Sequence, residues 1–396
     1  MGPGVVSGAA DNDPAGVITY IQIGATTGFS LLWLMLLSTP ILYYLEDMSA
    51  RLGIVGKRGI GRLLCRRYGT AAALVIVIPT LFSNVITIGA DLSGTASAVQ
   101  LLTGVPWVWW VVPIAVLLGA LLFGAGYEAV SRVLLILTPL FLLYVAVGFV
   151  VRPRWASVLE ATFLPHFRFA PTYLAAALAL LGATLTPYMF FWQTTEEVEA
   201  HRRVADLAGE RLDVATGMIY ANLVFYFIIL AAAVVIPAGA AGIGTVLEAA
   251  QTLRPVAGPL ATLLFALGFF VSGIMAIPVM VACSAYTLAE VLGWAEGLDK
   301  RVWQARGFYM LLAGALLVGA VVALAGIPPV ALMFWSSVVN GLLLAPLFLV
   351  LLMLCNDPAV VRGHRNGPVA NIVAGGTVLL TLALGVLTTV QLLRGH

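Results

Sequence analysis

Two short sequences carry the candidate chemistry of this chain, and each interrupts an apolar run. Asp13-Pro14-Ala15-Gly16 breaks the stretch from Gly4 to Gly28. Pro14 removes a backbone donor and clashes with a continuous helix. Gly16 loosens the chain two residues later. Asp13 puts a carboxylate at the break, and an ionisable side chain at membrane depth marks a pathway or binding site by default. Far down the chain, Thr186-Pro187 breaks a second apolar stretch, residues 172–199. Interrupted helices at corresponding places in two halves of a membrane protein point to a central binding site. A carboxylate at such a break repels an organic carboxylate and suits a cation.

The elements that position these breaks follow from composition and pattern. Of 396 residues, 61% are hydrophobic and only 10% charged, whereas soluble domains carry about 25% charged residues. Apolar runs such as Ala71–Phe82, Val108–Leu122, Val133–Val151 and Leu223–Ile236 recur. The expected fold class is therefore an all-α polytopic membrane protein. Eleven segments are expected: 4–28, 29–53, 69–102, 107–124, 129–151, 172–199, 211–237, 256–293, 303–326, 329–354 and 368–393. No basic region precedes the first segment, so no cleavable signal peptide is expected. Cys65, Cys283 and Cys355 lie far apart and read as three free thiols. No Walker-type sequence, catalytic-triad spacing or zinc-ligand cluster appears, so an enzyme is not expected.

Lys and Arg set the expected orientation. Fifteen of the 20 fall on one side, among them Arg51, Lys57, Arg58, Arg62, Arg66, Arg67, Arg132, Arg202, Arg203 and Arg362. Placing that side in the cytoplasm puts the N-terminus there and, with an odd span count, the C-terminus outside. Segments one to five and six to ten then have opposite topology, each set opening on its broken helix. That gives a first repeat at 1–151, a second at 172–354 and an extra helix at 368–393, all in one transporter domain.

Particular residues extend this reading by resemblance. Gly2-Pro3-Gly4, Asp13-Pro14 and Tyr20-Ile21-Gln22-Ile23-Gly24-Ala25 resemble the first segment of the NRAMP divalent-metal transporters. Leu31-Leu32-Trp33, Leu36-Leu37-Ser38 and Ser49-Ala50-Arg51-Leu52-Gly53 resemble their second. Ala90-Asp91-Leu92-Ser93-Gly94-Thr95-Ala96 resembles their third, and Leu181-Gly182-Ala183-Thr184 before Pro187 their sixth. The resemblance implies a LeuT-type inverted repeat of five plus five helices with an eleventh added, helices 1 and 6 broken, and divalent cation transport. The implied partners are the transported divalent ion and the lipid bilayer, with no cofactor, nucleic acid or protein partner.

Departures from the family pattern fall at the breaks. The family's Asp-Pro-Gly-Asn reads Asp13-Pro14-Ala15-Gly16, and its Met-Pro-His reads Thr186-Pro187-Tyr188. A further family His falls at Gln193, and a third-segment Asp at Ile88. These changes resemble the NRAMP-related magnesium transporters of prokaryotes. They also make chemical sense. Thioethers favour transition metals over alkaline earths. Mg²⁺ wants hard oxygen in octahedral geometry and gives up water reluctantly. The expected metal site is Asp13, the room left at Gly16, the carbonyl of Ala183 and the hydroxyl of Thr186. Tyr188, Asp91, Ser337 and Asn340 are candidates for the surrounding layer. The four histidines, His166, His201, His364 and His396, fall in loops or at the terminus, so proton coupling is not expected.

Plainer roles compete at several positions. Asp13 would serve as a helix cap alone, and Thr186 would simply satisfy backbone freed by Pro187. Asp91 reads equally as a buried structural acid. Glu196, Glu197 and Glu199 read as a solvated helix end pairing with Arg202 and Arg203, and Glu46 and Asp47 read the same way. Trp107, Trp109 and Trp110 read as an interfacial belt.

Overall fold

The computed structural model describes residues 12–124, 142–236 and 242–394. Gly2-Pro3-Gly4, the part of the first segment before Asn12, Arg132, much of segment five and His396 lie outside the described residues. In chain order the principal helices are α1 (Pro14–Thr27), α2 (Leu32–Gly56), α3 (Ile60–Tyr68), α4 (Thr70–Thr103) and α5 (Val108–Gly124). They continue with α6 (Leu142–Val150), α7 (Trp155–Phe163), α8 (Pro171–Thr184), α9 (Pro187–Glu199) and α10 (Leu207–Val235). The last four are α11 (Ala261–Leu292), α12 (Arg306–Ala323), α13 (Pro329–Asn356) and α14 (Pro368–Arg394).

Among the described residues, seven helical stretches are long and apolar enough to cross a membrane. The other expected spans correspond to α1, α2, α5 and α6. Of these, α5 is 17 residues long, α2 carries Glu46, Asp47 and Arg51 in its second half, and α1 and α6 adjoin undescribed residues. Besides the short turns at Val204–Asp206 and Pro358–Val361, three short helical regions were not foreseen. Two are α3 and α7, and the third is a run of turns from Val246 to Leu260 that precedes α11. They lie in connections, where no 20-residue apolar run announces them.

The layering follows burial. The apolar 18-residue window of the α8–α9 stretch is wholly inside the protein, whereas only a third of α14's is. Ile372 and Leu393 of α14 are each 73% exposed, and Val75 of α4 is 71% exposed. Such apolar exposure suits lipid rather than water. Around the centre, α1 packs on α10, α13 and α8, and α4 packs along α11, α12 and α13.

Close backbone contact fixes α8 beside α13. A Cβ at Gly182 would lie 2.0 Å from the Ser337 carbonyl oxygen, and one at Gly341 would lie 2.5 Å from the Leu178 carbonyl oxygen. Only glycine fits at either point, as in other small-residue membrane helix contacts. Because Gly182 adjoins Ala183, this contact also places the end of α8.

Candidate functional site

Asp13 sits at the N-cap of α1 in extended conformation (φ −72°, ψ 160°). Its Oδ1 accepts from the Gly16 backbone N–H at 2.5 Å, and its carbonyl accepts from Val17 N–H at 3.0 Å. Pro14 at the first helical position costs no hydrogen bond, because that amide would be an orphan anyway. Gly16 thus enters the site as the amide that holds Asp13.

A second carboxylate meets the same helix end. Asp91 projects from α4, and its Oδ1 accepts from the Ala15 backbone N–H at 2.8 Å. Its other oxygen, Oδ2, is buried without a hydrogen-bond partner. Asp13 is 4% exposed and Asp91 0%, so adjacent amides of one helix N-terminus each hold a buried carboxyl group. A helix N-terminus favours negative charge, typically by 0.3–1 and up to about 2 kcal/mol. Two anions side by side still repel each other. The approach of α4 is close: a Cβ at Gly94 would meet Pro14 Cβ at 3.0 Å and Met333 Sδ at 2.8 Å.

The second break is built differently. After Thr184 the chain leaves the helix at Leu185 (φ −111°, ψ 44°) and resumes at Pro187. Thr186 occupies the N-cap of α9, yet its side chain caps nothing. Its hydroxyl instead donates to the Ala183 carbonyl at 2.9 Å. A hydroxyl that has given its hydrogen keeps two lone pairs, and a carbonyl accepting one bond keeps one. Both oxygens therefore stay competent toward a cation, at 2% exposure for Thr186 and 4% for Ala183.

Hydroxyl contacts tie α1 to α8 and to α13. Tyr20 of α1 meets Thr184 of α8 at 3.1 Å, and Thr19 of α1 meets Ser337 of α13 at 2.9 Å. Thr19 is not singled out in the sequence, and Tyr20 and Thr184 enter there only as members of family-like runs, because isolated hydroxyls in apolar helices are common. Asn340 is engaged elsewhere. It accepts from the Ser83 hydroxyl, and its Nδ2 donates to Thr87 Oγ1 at 3.3 Å, both on α4. Tyr188 is buried as the second residue of α9, and its carbonyl accepts from Cys283 Sγ at 3.3 Å. Ile88 packs on α12, where a Cβ at Gly319 would lie 2.3 Å from its Cγ2. A carboxylate there would face apolar helix. Among the described residues, no three His, Cys, Asp or Glu side chains converge as a ready cage for a metal.

The acidic residues at the far end of α9 are not a solvated helix end. Glu196 is 1% exposed, and Glu197 and Glu46 are 0% exposed. The cause is helix contact: α9 lies against α2, where a Cβ at Gly53 would sit 2.3 Å from the Thr194 carbonyl oxygen. Gln193 Nε2 donates to Glu197 Oε1 at 2.7 Å. Arg202 turns to Glu210 at 3.9 Å, and the Arg203 backbone N–H donates to Asp206. Asp47 is buried too, and it takes Arg51 at 2.6 Å and Arg211 at 2.9 Å. This half of the protein therefore holds titratable carboxylates. His166, His201 and His364 are exposed.

A cavity of about 480 Å³ opens at the other end of α4, lined by Ser97, Gln100, Trp107, Thr245 and Pro329 among others. Neither Asp13 nor Thr186 lines it, and both are buried.

Comparison with known proteins decides the family. The sequence matches Nramp, described as natural resistance-associated macrophage protein-like, over residues 4–391. The chain belongs to the Nramp family. The divalent metal cation transporter MntH of Deinococcus radiodurans is 29% identical over 355 residues, covering 86% of this chain and 77% of that protein. MntH of Aeromonas hydrophila subsp. hydrophila is 28% identical over 407 residues, covering 97% and 93%. The crystal structure of the Eremococcus coleocola manganese transporter in complex with an aromatic bis-isothiourea substituted compound superposes with a TM-score of 0.76 at 19% identity, covering 98% of this chain and 85% of that one. MhsT in complex with L-phenylalanine superposes with a TM-score of 0.66 at 13% identity, covering 98% of each chain. At these identities the structures speak for the fold alone. That fold is the LeuT type, all helical, and this Nramp member is a multi-pass membrane protein.

Proposed function

We propose that this Nramp protein carries divalent metal cations across the membrane by alternating access, through a site made where the two breaks meet. The observation that carries the reading is the pair of carboxyl groups, Asp13 and Asp91, at the N-terminus of α1. Together they offer up to two negative charges, which matches a dication. A bound cation removes the repulsion that otherwise makes the pair costly. Asp13 is assigned as the direct charged ligand, and Ala183 O and Thr186 Oγ1 as neutral oxygens. Gly16 and Asp91 hold and tune the first. The two repeats, 1–151 and 172–354, would rock about this site, with 368–393 outside them. The basic side is assigned to the cytoplasm.

We further propose Mg²⁺ as the cargo, carried without protons. The donor set is all hard oxygen, with Thr186 in the place of a thioether, so nothing in it excludes an alkaline earth. An inside-negative potential of 100 mV supplies about 4.6 kcal/mol to a dication, roughly a thousandfold or more in ratio. Inward movement then needs no second ion.

Two observations favour a second reading, proton-coupled Mn²⁺ transport. The similar proteins are named MntH divalent metal cation transporters, and the superposed structure is a manganese transporter. Buried Glu46, Glu196 and Glu197 also supply carboxylates that could carry protons. Proteoliposomes separate the two. Uptake of Mg²⁺, Mn²⁺ and Ca²⁺ is measured with a pH-sensitive dye trapped inside. Mg²⁺ uptake without acidification beyond leak is the expected result. Mn²⁺-only uptake with luminal acidification would establish the second reading instead.

A further inference from the structure

A cavity of about 330 Å³ lies on the basic side, between the α2–α3 junction and the short helix Pro358–Val361. Gly56, Leu63, Ala359 and Val360 give it an apolar floor, and Lys57, Arg58, Arg66, Arg67 and Arg362 are its cations. An inside-positive bias accounts for basic loops. It does not account for five cations from two distant stretches converging on one hollow.

Their pairing leaves a surplus. Arg67 bonds Asp357, whose carboxyl that guanidinium holds below the usual range. Lys57 Nζ donates to the Arg202 carbonyl. Among the described residues no carboxylate forms an ion pair with Arg58, Arg66 or Arg362. Burial, then the neighbouring guanidiniums of Arg66 and Arg62, push the Arg58 guanidinium down from its ordinary value. The backbone adds an independent mark. Four non-glycine residues among those described have positive φ, and two of them, Lys57 (φ 56°) and Arg362 (φ 45°), line this cavity. Each follows the last turn of a helix, where glycine or asparagine is the usual choice. Long cationic side chains held there against that preference fit a ligand clamp.

We propose that this cavity binds a phosphate-bearing anion, whether a lipid headgroup or a soluble phosphate. Guanidinium groups recognise phosphate through paired, charge-assisted hydrogen bonds. Basic pockets between helices on this side of a membrane are also where anionic headgroups seat. An occupant would tie the α2–α3 junction to the α13–α14 junction.

The test uses the full-length protein and its thermal unfolding midpoint. One arm replaces chloride with inorganic phosphate at constant ionic strength, in neutral detergent. The other compares nanodiscs of phosphatidylcholine with nanodiscs containing phosphatidylglycerol. Arg66→Gln/Arg362→Asn leaves the Arg67–Asp357 pair in place, and asparagine tolerates the left-handed backbone. Lys300→Gln/Arg301→Gln removes equal charge elsewhere on the same side. The expected result is saturable stabilisation of wild type and of the Lys300/Arg301 variant, with affinity at least about tenfold weaker in Arg66→Gln/Arg362→Asn. A response to phosphate identifies a soluble ligand, and a response to phosphatidylglycerol alone identifies a headgroup. If the double variant does not fold, Arg66→Gln alone, on an exposed helix surface, must show the weakening. Equal responses in pocket variant and wild type, or no response of wild type to either probe, would overturn the proposal.

Discussion

The two helix breaks do unlike jobs with the same backbone device. At the first, a side chain caps its own helix: Asp13 takes the Gly16 amide, and Asp91 arrives from α4 to take the Ala15 amide. At the second, α9 begins without a side-chain cap, and Thr186 turns back to the Ala183 carbonyl. One break therefore concentrates charge, and the other presents neutral dipoles. The difference teaches how the roles of a cation site are divided. In the site proposed above, charge would set whether a dication binds at all, and the neutral oxygens would set which one. The Tyr20–Thr184 hydroxyl pair links the two regions, and Thr19–Ser337 links α1 to α13.

That division can be broken at its charged half first. Asp13→Ala removes both the charge and the cap, and Mg²⁺ uptake is expected to disappear in proteoliposomes while the protein stays folded. Removing a charged ligand from a partly dry cavity is worth several kcal/mol. Wild-type-like uptake by this variant would end the assignment. Asp91→Asn keeps an acceptor for the Ala15 amide but halves the charge. Uptake at limiting Mg²⁺ is expected to fall by about tenfold, the scale of one charged hydrogen-bonded group. An unchanged rate would make Asp91 purely structural.

The neutral half is expected to change preference more than affinity. Thr186→Met with Gly16→Asn supplies a soft donor and an extra direct oxygen, and it takes space from water. Losing water costs Mg²⁺ more than Mn²⁺, so the Mg²⁺/Mn²⁺ affinity ratio should fall by roughly tenfold, a typical effect for contacting residues. Calorimetry on both ions checks it. A folded variant with an unchanged ratio would show that these positions do not set selectivity.

Much of this arrangement was legible in the sequence because proline and charge inside apolar runs are rare. Pro187 located the break between α8 and α9, Asp13 and Pro14 located the start of α1, and the described helix ends fall within a few residues of the expected segments, the starts of segments one and five lying outside the described residues. Asp91's partner was not legible, since a backbone amide 76 residues away leaves no mark on sequence. Glu46, Glu196 and Glu197 were misread for a related reason. Charges at a span's end usually reach water, and only the packing of α2 on α9 shows that these do not. Asn340 looked like part of the site because polarity among apolar neighbours does not say which neighbour it faces, and it faces Ser83 and Thr87.

The claim that both breaks touch one ion is tested most directly by a double-mutant cycle on Mg²⁺ affinity. Asp13→Asn keeps a good helix cap while removing charge, and Thr186→Val removes the hydroxyl at nearly constant shape. Titration calorimetry of wild type, both single variants and the double variant gives the coupling. If one ion bridges the breaks, the losses are not additive and the coupling is about 0.5–3 kcal/mol. Losses that add to within about 0.3 kcal/mol would mean that Asp13 and Thr186 act on separate events, and a single site between the breaks would be contradicted.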